Sequence, residues 1–407
     1  MKSPIQNKHI LLGVTGSIAA YKAADLASKL TQAGALVDVL LTQSALQFVT
    51  QLTFQSVTGR RAYCDADMWG NEGHVQHIGL GKNADLLLIA PATANTLAKL
   101  ANGLADNLLT VTALAATCPL VIAPAMDGGM YAHPATQANL EILRKREAIL
   151  VGPAEGHLAS GLAGVGRMVE PIELLGHVRW VLSRQGPLRG RKVLVTASGT
   201  QEPIDPVRVI ANRSSGKQGF ALAQAALDQG AEVTLISGPT HLDPPVGARV
   251  ESINTADEML AAVLAALPET DVLIMAAAVA DFKVAAPAVD KIKKEGGVPD
   301  IKLEETPDIL QTVAQFKSRE GWPRLTIGFA AESQNLLKNA RNKLQAKKLD
   351  LIAANNISAL DAGFAVDNNR ITLLFPDGRA EPMPLMSKTE VAQVVLERVL
   401  KMLQMDK

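Results

Sequence analysis

The segment KHILLGVTGSIAAYKAADLASKL, residues 8–30, decides the expected fold of the first half of the chain. Its opening run, HILLGVTG, is continuously apolar, which is typical of a strand buried on both faces of a parallel sheet. The spacing of the apolar residues that follow predicts a helix over 17–33. Gly13, Gly16 and Ser17 occupy the turn between them, where free backbone N–H groups and the helix dipole suit a phosphate. Close packing alone would also explain small residues there.

The same alternation of short apolar runs and helical patterns continues through the chain. Further strands are predicted at LVDVLLT, DLLLIAPAT, PLVIAPAM and AILVGP, and, after a polar linker at 183–192, at KVLVTASG, EVTLISGP, DVLIMAAAVA, LTIGFAAE, DLIAAN and RITLLF. Such alternation indicates an α/β fold class with two doubly wound, mostly parallel-sheet, Rossmann-like domains. We expect the domains to span 1–186 and 190–407, each binding ligands at the carboxyl ends of its strands.

Composition excludes several classes of function. The chain has 407 residues, 48% hydrophobic, with 40 basic and 40 acidic side chains and 3% aromatics. This balance gives no electrostatic reason to expect a nucleic acid or an anionic membrane as partner. Cys64 and Cys118 form neither a metal-ligand spacing nor a disulfide framework. The N-terminal apolar run is too short for a signal or membrane segment, so we expect a soluble cytoplasmic protein.

Two segments do not fit the alternation. The glycine-rich stretch EGHLASGLAGVGRM, residues 155–168, is either a slack connection or a lid over a site, and its position after the last strand of the first domain favours the lid. Residues 281–307 are charged and interrupted by proline and glycine. A loop of that length inside a compact domain is usually functional or disordered.

The segment APATANTLAKLANGLADNLLT, residues 90–110, carries a family resemblance. Together with GSIAAYK, QHIGLGK and PAMDGGMY it resembles the flavin-dependent cysteine decarboxylases, which implies a flavodoxin-like domain with FMN at the carboxyl edge of its sheet. Residues 106–110 would contribute from a neighbouring segment or across a subunit interface. The FMN-binding residues that the resemblance implies are Gly16, Ser17, Thr42, Ser44, Ala92, Thr93, Ala94, Asn95, Asp106, Asn107, Leu108 and Thr110.

The resemblance also implies a decarboxylation mechanism. A flavin oxidises the thiol side of a cysteine amide to a thioaldehyde, which serves as electron sink while carbon dioxide leaves, and the protein supplies position and protons. His77, in VQHIGLGK, is implied as the catalytic base; His74 competes with it, and a lone histidine often has a surface or capping role.

Two positions depart from the family pattern. Asp127 stands where asparagine often binds the substrate carboxylate, and an ionised aspartate would repel that group unless it is protonated or a cation intervenes. Ser160 stands where a cysteine donates a proton, and serine is a far poorer acid than a thiol of pKa about 8.5. Either the site has degenerated, or Asp127 or water has taken over the acid role.

The block VTASGTQEPIDPVRVIANRSSGKQGFALAQAAL, residues 195–227, resembles the phosphopantothenate–cysteine ligases. Its SSGK segment begins a helix, which suits an anion, although a solvated helix cap has the same residues. Asn212 is implied to handle an acyl-nucleotide intermediate, and Lys291 to help form it. The remaining nucleotide-binding residues implied are Gly199, Thr200, Ser214, Ser215, Gly216, Lys217, Asp281, Pro307, Asp308, Ile309, Leu310, Phe329, Lys343 and Lys347.

Over residues 7–403 the chain thus resembles the bacterial bifunctional phosphopantothenoylcysteine decarboxylase and phosphopantothenate–cysteine ligase family. That implies coenzyme A biosynthesis with FMN, CTP and Mg²⁺, without a predicted set of metal ligands, and small-molecule substrates: 4′-phosphopantothenate and cysteine. It also implies a homo-oligomer, with a trimeric decarboxylase, a dimeric ligase and hence a dodecamer. Because of Ser160 and Asp127, two alternatives stay open: a non-catalytic first domain beside a working ligase, and a decarboxylase that stops at the enethiol.

Overall fold

A computed structural model describes residues 3–69, 76–158, 161, 163–294, 299–332, 335–356 and 367–405, called the described residues below. The chain divides into two compact units, which separate between Ser183 and Arg184. The last helix of the first unit ends at Ser183, and the first strand of the second begins at Lys192. The predicted linker is therefore a run of turns between these two elements.

The first unit alternates strands and helices in the predicted order. Its strands are β1 (His9–Val14), β2 (Leu36–Leu41), β3 (Ala62–Cys64), β4 (Leu86–Ala92), β5 (Leu120–Pro124), β6 (Ile149–Leu150), β7 (Ala154–His157) and β8 (Ala163–Arg167). Its helices are α1 (Ala20–Gln32), α2 (Gln51–Thr58), α3 (Gln76–Asn83), α4 (Ala94–Asn102), α5 (Leu108–Ala115), α6 (Gly128–Ala132), α7 (Pro134–Lys145) and α8 (Pro171–Ser183).

The six main strands form a parallel sheet in the order β3-β2-β1-β4-β5-β6. Alternate residues of β1 enter two different apolar clusters, because successive side chains of a strand point to opposite faces. Leu12 and Val14 pack with α1, α2 and α8, whereas Leu11 packs with α4, α5 and α7. The sheet is therefore covered by helices on both sides, as continuous apolar strands require.

The second unit repeats this architecture. Its strands are β9 (Lys192–Ala197), β10 (Gln201–Pro203), β11 (Val209–Ala211), β12 (Glu232–Ser237), β13 (Arg249–Ser252), β14 (Val272–Met275), β15 (Phe282–Val284), β16 (Leu303–Glu305), β17 (Leu325–Glu332), β18 (Leu351–Asn356), β19 (Asn368–Asn369), β20 (Ile371–Leu374), β21 (Ala380–Pro382) and β22 (Met386–Ser387). Its helices are α9 (Lys217–Asp228), α10 (Ala256–Ala266), α11 (Ile309–Glu320), α12 (Leu336–Ala346) and α13 (Lys388–Met405).

Eight of these strands form one sheet in the order β13-β12-β9-β14-β17-β18-β20-β21. The first six are parallel, and β20 and β21 extend the sheet antiparallel. Helices α10, α11 and α12 share one apolar cluster with the sheet. Helix α9 packs on β9 and β12 and against α13, outside that cluster. The predicted fold class, two doubly wound and mostly parallel α/β domains, is confirmed.

One sequence-based expectation is wrong in part. Residues 281–307 were expected to lack regular structure, but Phe282–Val284 and Leu303–Glu305 pair as an antiparallel ribbon. Three-residue strands give too short a period-two pattern to stand out among the charged and proline residues around them. The Ala288 N–H also donates to the Ile204 carbonyl oxygen (2.9 Å), which holds the described part of the segment on the second unit.

Candidate functional site

The carboxyl edge of the first sheet is held together by Thr15. Its hydroxyl donates a hydrogen bond to the Pro91 carbonyl oxygen (2.7 Å) and accepts one from the Thr93 N–H (3.1 Å). These bonds join the ends of β1 and β4, where the strand order changes direction and doubly wound sheets bind ligands. A Cβ built on Gly16 would lie 2.3 Å from the Cβ of Ser44. Glycine is therefore required for the β1–α1 turn to approach the segment after β2.

The other flavin-binding residues predicted for this edge differ in exposure. Thr42 and Ala92 are buried at the ends of β2 and β4. Thr93 is the N-cap of α4, and its hydroxyl accepts a hydrogen bond from the backbone of the first turn. Ala94 is partly exposed and Asn95 is exposed. The structure thus brings these side chains to one edge, and the start of α4 is the part open to a ligand.

A cavity of about 360 Å³ opens beside this edge. Its walls come from the start of α1, from residues 125–127 and from the strands β7 and β8. Ser17 and Asp127 are the predicted site residues that line it. The Asp127 carboxylate accepts a hydrogen bond from the Gly129 N–H (2.9 Å) at the start of α6.

The glycine-rich segment forms the antiparallel hairpin β7–β8, which packs on the cavity wall. The Met126 N–H donates to the Gly166 carbonyl oxygen (2.9 Å). A Cβ on Gly166 would lie 2.2 Å from the Met126 carbonyl oxygen, so only glycine allows this approach. The described residues of the segment are therefore a folded hairpin and not a slack connection. Ser160 lies outside the described residues.

Lys22 lines the same cavity and was missed by sequence reasoning. Its side chain is 7% exposed, and the ammonium donates to Glu170 Oε1 (2.9 Å) and to the Met168 carbonyl oxygen (3.2 Å). Arg167 also pairs with Glu170 (2.6 Å). The hydrogen bond from Lys22 lowers the pKa of the Glu170 carboxyl and outweighs its partial burial. This network ties the end of the hairpin to α1. The sequence carried no signal for Lys22, because a lysine in an amphipathic helix is usually solvated.

The predicted flavin-binding residues that begin α5 do not line this cavity. Asp106 is exposed and forms an ion pair with Lys99 (2.8 Å). Asn107 caps α5 in a reciprocal capping box with Thr110. Leu108 and Thr110 are each 1% exposed. Their side chains therefore serve the helix start and the core of their own chain.

His77 lies on α3, which packs against α5. Its Nδ1 atom is buried and has no hydrogen-bond partner among the described residues. Helices α3 and α5 contribute to the apolar cluster on the face of the sheet opposite to α1. A single chain therefore does not bring His77 to the cavity lined by Ser17 and Asp127. The competing His74 lies outside the described residues.

The second unit contains a larger cavity, of about 750 Å³, at the carboxyl edge of its sheet. Most of the predicted nucleotide-site residues line it, although they come from widely separated segments. They are Asn212, Ser214, Ser215, Gly216, Lys217, Asp281, Pro307, Asp308, Ile309, Leu310, Phe329, Lys343 and Lys347.

Gly199 and Thr200 form the support behind this cavity and do not line it. Thr200 is fully buried, and its hydroxyl accepts a hydrogen bond from the Ala280 N–H (2.9 Å). Gly199 forms a parallel bridge with Ala278. The Asn212 side chain donates from Nδ2 to the Val279 carbonyl oxygen (2.9 Å). The segment after β14 is thus fixed by contacts with Gly199 and Thr200 and by the side chain of Asn212.

Two lysines at the end of α12 also line the cavity: Lys343 in its last turn and Lys347 as its C-cap. Lys343 donates to the Phe329 carbonyl oxygen (3.3 Å), and Lys347 forms an ion pair with Asp308. Asp308 also caps α11 by accepting from the Gln311 N–H (2.9 Å). Burial opposes the ionisation of Asp308, but the hydrogen bonds from Lys347 and from this N–H outweigh it and lower the pKa of the carboxyl.

Lys291 does not line the cavity. It is exposed, and its neighbour Ile292 donates its N–H to the buried Asp205 carboxylate (3.2 Å). Three buried polar residues of the cavity were missed by sequence reasoning: Asn355, Asn369 and Lys388, which are 8%, 4% and 7% exposed. Asn355 and Asn369 lie on the late strands β18 and β19, and Lys388 begins the last helix, where no glycine-rich pattern singles them out.

Within the described ranges, no helix is long and apolar enough to cross a membrane. No group of three or more His, Cys, Asp or Glu side chains there could hold a metal ion. Both cysteines, Cys64 and Cys118, are free thiols.

Two protein families match the two units. Residues 1–182 match the Flavoprotein family, and residues 188–403 match the family described as DNA/pantothenate metabolism flavoprotein C-terminal domain.

Full-length relatives are similar to the whole chain. The coenzyme A biosynthesis bifunctional protein CoaBC of Bacillus subtilis (strain 168) is 44% identical over 398 residues, which are 97% of each chain. Proteins of the same name from Vibrio cholerae (serotype O1, strain El Tor Inaba N16961) and Mycobacterium tuberculosis (strain H37Rv) are each 43% identical, over 97% of this chain and 98% and 97% of theirs.

Solved structures match one unit each. The C-terminal domain of a coenzyme A biosynthesis bifunctional protein CoaBC is 38% identical, covers 54% of this chain and 99% of its own, and gives a TM-score of 0.46. The FMN-dependent cysteine decarboxylase SpaF is 32% identical, covers 44% of this chain and 97% of its own, and gives a TM-score of 0.39.

Proposed function

Because this chain belongs to the family of bifunctional coenzyme A biosynthesis proteins, we propose that it converts 4′-phosphopantothenate to 4′-phosphopantetheine in two successive reactions. The chain is a bifunctional enzyme of coenzyme A biosynthesis with a decarboxylase and a ligase activity. We assign the decarboxylase to residues 1–186 and the ligase to residues 190–407. Both halves match their families, so the alternative of a non-catalytic first domain gains no support.

The observation that carries the ligase assignment is the 750 Å³ cavity, which gathers predicted residues from α9, α11, α12 and the loop after β14. In the proposed reaction, a carboxylate oxygen of 4′-phosphopantothenate attacks the α-phosphorus of CTP, and pyrophosphate leaves. The cysteine amine then attacks the acyl carbon of the acyl-cytidylate, loses a proton and displaces CMP. Positioning and charge stabilisation are what such a site must supply.

The cavity residues divide these tasks. Lys343 and Lys347 offset phosphate charge, and Asp308 holds Lys347 in place through their ion pair. Asn212, anchored on the loop after β14, would hold the acyl-nucleotide. Lys291 would reach that point only by movement of its segment or from a second subunit. We also propose that Mg²⁺ enters with CTP, bridging its phosphates and keeping most of its water ligands.

FMN fits the edge of the first sheet. The absence of a Cβ at Gly16 lets the turn between β1 and α1 lie against Ser44, at the switch point of the sheet. When bound, FMN would supply the oxidation and reduction of the cysteine thiol side that makes loss of carbon dioxide possible. We propose that Thr93, Ala94 and Asn95 position it, that His77 acts as base, and that Asp127 and Ser160 face the substrate.

We propose that the decarboxylase site is completed by a second copy of the chain. The cavity of one chain contains Ser17 and Asp127 but neither His77 nor the start of α5. A trimeric first unit would supply them, and with a dimeric ligase unit the assembly would be a dodecamer. We further propose that the enzyme works in the cytoplasm, where nucleoside triphosphates and cysteine are available.

One experiment tests both reactions. Purified protein reconstituted with FMN is given 4′-phosphopantothenate, cysteine, Mg²⁺ and either CTP or ATP. We expect pyrophosphate, carbon dioxide and 4′-phosphopantetheine in equal amounts, with CTP preferred. An enethiol as final product would favour the alternative raised by Ser160, and ligation without carbon dioxide would refute the decarboxylase assignment.

A further inference from the structure

The turn between β10 and β11 holds the segment that carries Lys291. The Asp205 carboxylate accepts a hydrogen bond from the Ile292 N–H (3.2 Å), and the Arg208 guanidinium donates one to the Ile292 carbonyl oxygen (3.2 Å). Ile292 follows Lys291 directly in the chain. We call Asp205, Arg208 and Ile292 the Ile292 clamp, because the backbone of Ile292 is held at both its N–H and its carbonyl group.

The two carboxylate oxygens of Asp205 have different tasks. Oδ1 accepts hydrogen bonds from the N–H groups of Val207 and Arg208, both at 2.8 Å, which is how an aspartate side chain closes a turn. Oδ2 accepts from the Arg208 guanidinium (2.8 Å) and from the Ile292 N–H. The backbone of the turn therefore uses only Oδ1, and Oδ2 is the atom that reaches across to the segment of Lys291.

Asp205 is a buried carboxylate, with 2% of the residue exposed. Burial opposes the ionisation of its carboxyl, but the backbone N–H groups that donate to it outweigh this effect and lower its pKa. Burying a charge is costly unless hydrogen bonds compensate it. The bond from the Ile292 N–H is part of that compensation, so the clamp is made by a buried charged group and is not a loose contact between surface loops.

A second attachment limits how far the backbone of Lys291 can move. The Ala288 N–H donates to the Ile204 carbonyl oxygen (2.9 Å) at the start of the same turn. Residues 288–292 are thus attached to the turn at both of their ends. Lys291 lies within this stretch and is exposed. The turn therefore sets the position of its backbone, whereas its side chain is accessible to a substrate.

We propose that Asp205 is a positioning residue of the ligase, which holds the backbone of Ile292 so that the Lys291 ammonium meets the reacting phosphate. This inference rests on the role of Lys291 in the proposed function. Asp205 acts only through its neighbours, because it is buried and is not among the described residues that line the ligase cavity. Displacing a catalytic group by about 1 Å can cost about a hundredfold in rate, so the position of this backbone matters.

Asp205→Asn separates the two tasks of the carboxylate. The amide oxygen can replace Oδ1 in the turn, whereas an amide nitrogen in place of Oδ2 cannot accept from the Ile292 N–H. The readouts on the full-length protein are the kcat for pyrophosphate release with saturating CTP, 4′-phosphopantothenate and cysteine, and the Kd for CTP by calorimetry. We expect kcat to fall at least about tenfold and the Kd to change less than about twofold.

Two further variants show whether the loss is specific. Asp257→Asn is the matched control, because Asp257 is an exposed carboxylate that pairs with Lys283 on the same segment (2.7 Å), and its kcat should stay at the wild-type value. Lys291→Met should lower kcat by itself. Adding Asp205→Asn to Lys291→Met should lower kcat by less than about a further twofold, since a residue that acts through Lys291 has no effect without it.

An unchanged or raised kcat in Asp205→Asn, an equal loss in Asp257→Asn, or losses that multiply in the double variant would overturn the proposal. Wild-type kcat in Lys291→Met would overturn it together with the role of Lys291, while ligation itself would stand. Should Asp205→Asn fail to fold, Asp205→Ser decides by the same cycle, because a serine hydroxyl can close the turn but is too short to reach Ile292 as well. Failure of the wild type to ligate with any nucleotide would instead refute the proposed function.

Discussion

Gly166→Ala is expected to damage the first unit selectively. The new Cβ would lie 2.2 Å from the Met126 carbonyl oxygen and 3.2 Å from the Gly128 nitrogen, both backbone atoms that cannot rotate away. Strand β8 must therefore move by about 1 Å, at a cost of about 2 kcal/mol for overpacking. That movement also strains the hydrogen bond from the Met126 N–H to the Gly166 carbonyl, worth about 1 kcal/mol. The total is about 3 kcal/mol.

A loss of that size lowers the melting temperature of a unit of this length by about 6–12 °C. Calorimetry of the full chain measures it, and carbon dioxide release is expected to fall while ligation stays at the wild-type rate. Gly164→Ala is the matched control, because a Cβ there has its nearest neighbour, a side-chain carbon of Leu158, at 4.0 Å. Wild-type behaviour of Gly166→Ala, or an equal loss in Gly164→Ala, would refute the packing argument.

Four other changes have distinct expected outcomes. Lys22→Met removes the buried ammonium from Glu170 and should destabilise the first unit by about 1–2 kcal/mol, measured by urea unfolding, with decarboxylation reduced and ligation kept. Because the pKa of Asp308 is lowered, its stabilising effect is present above its unfolded pKa of about 3.9 and disappears as pH falls through its folded pKa. Asp308→Asn should therefore cost stability at pH 6, and that cost should shrink as pH is lowered below about 3.9, by the same assay. Lys347→Met should raise the KM for CTP without changing decarboxylation. His77→Asn should keep bound FMN, seen in its absorbance, but lose carbon dioxide release.

The alternation of elements was predictable because each main strand is apolar on both faces and each helix has one apolar side. Residues 8–30 show this directly: β1 and α1 occupy the predicted positions. The three-residue strand β3 and the ribbon β15–β16 were not predicted, since so short a segment carries no usable periodicity. Helix α5 was not predicted as a separate element, because its residues belong to the segment 90–110 that carries the family resemblance. Its position beneath β1 became clear only from the packing of the structure.

Some site residues could likewise be predicted from the sequence, and others could not. Those that follow a strand or begin a helix with a glycine-rich signature, such as Gly16 and Lys217, could be placed at an edge from the chain order alone. Lys22 and Lys388 could not, because their role depends on burial by segments distant in sequence: Glu170 in one case and the first turn of α9 in the other. A lysine in an amphipathic helix is usually solvated, and only its lack of exposure reveals otherwise.

The two sites differ in how many of their predicted residues a single chain brings into one cavity. In the ligase cavity, charged residues from α9, α11, α12 and α13 already face a common space, because all these helices begin or end at one sheet edge. In the first unit, Ser17 and Asp127 share a cavity, whereas His77 is on the opposite face of the sheet, and its Nδ1 atom has no partner in the part of the chain that the structure describes. A parallel sheet separates its two faces by its full thickness, so no rotamer change can unite them. If His77 is the base, a second chain must bring it, and decarboxylation but not nucleotide binding should depend on assembly of the first unit.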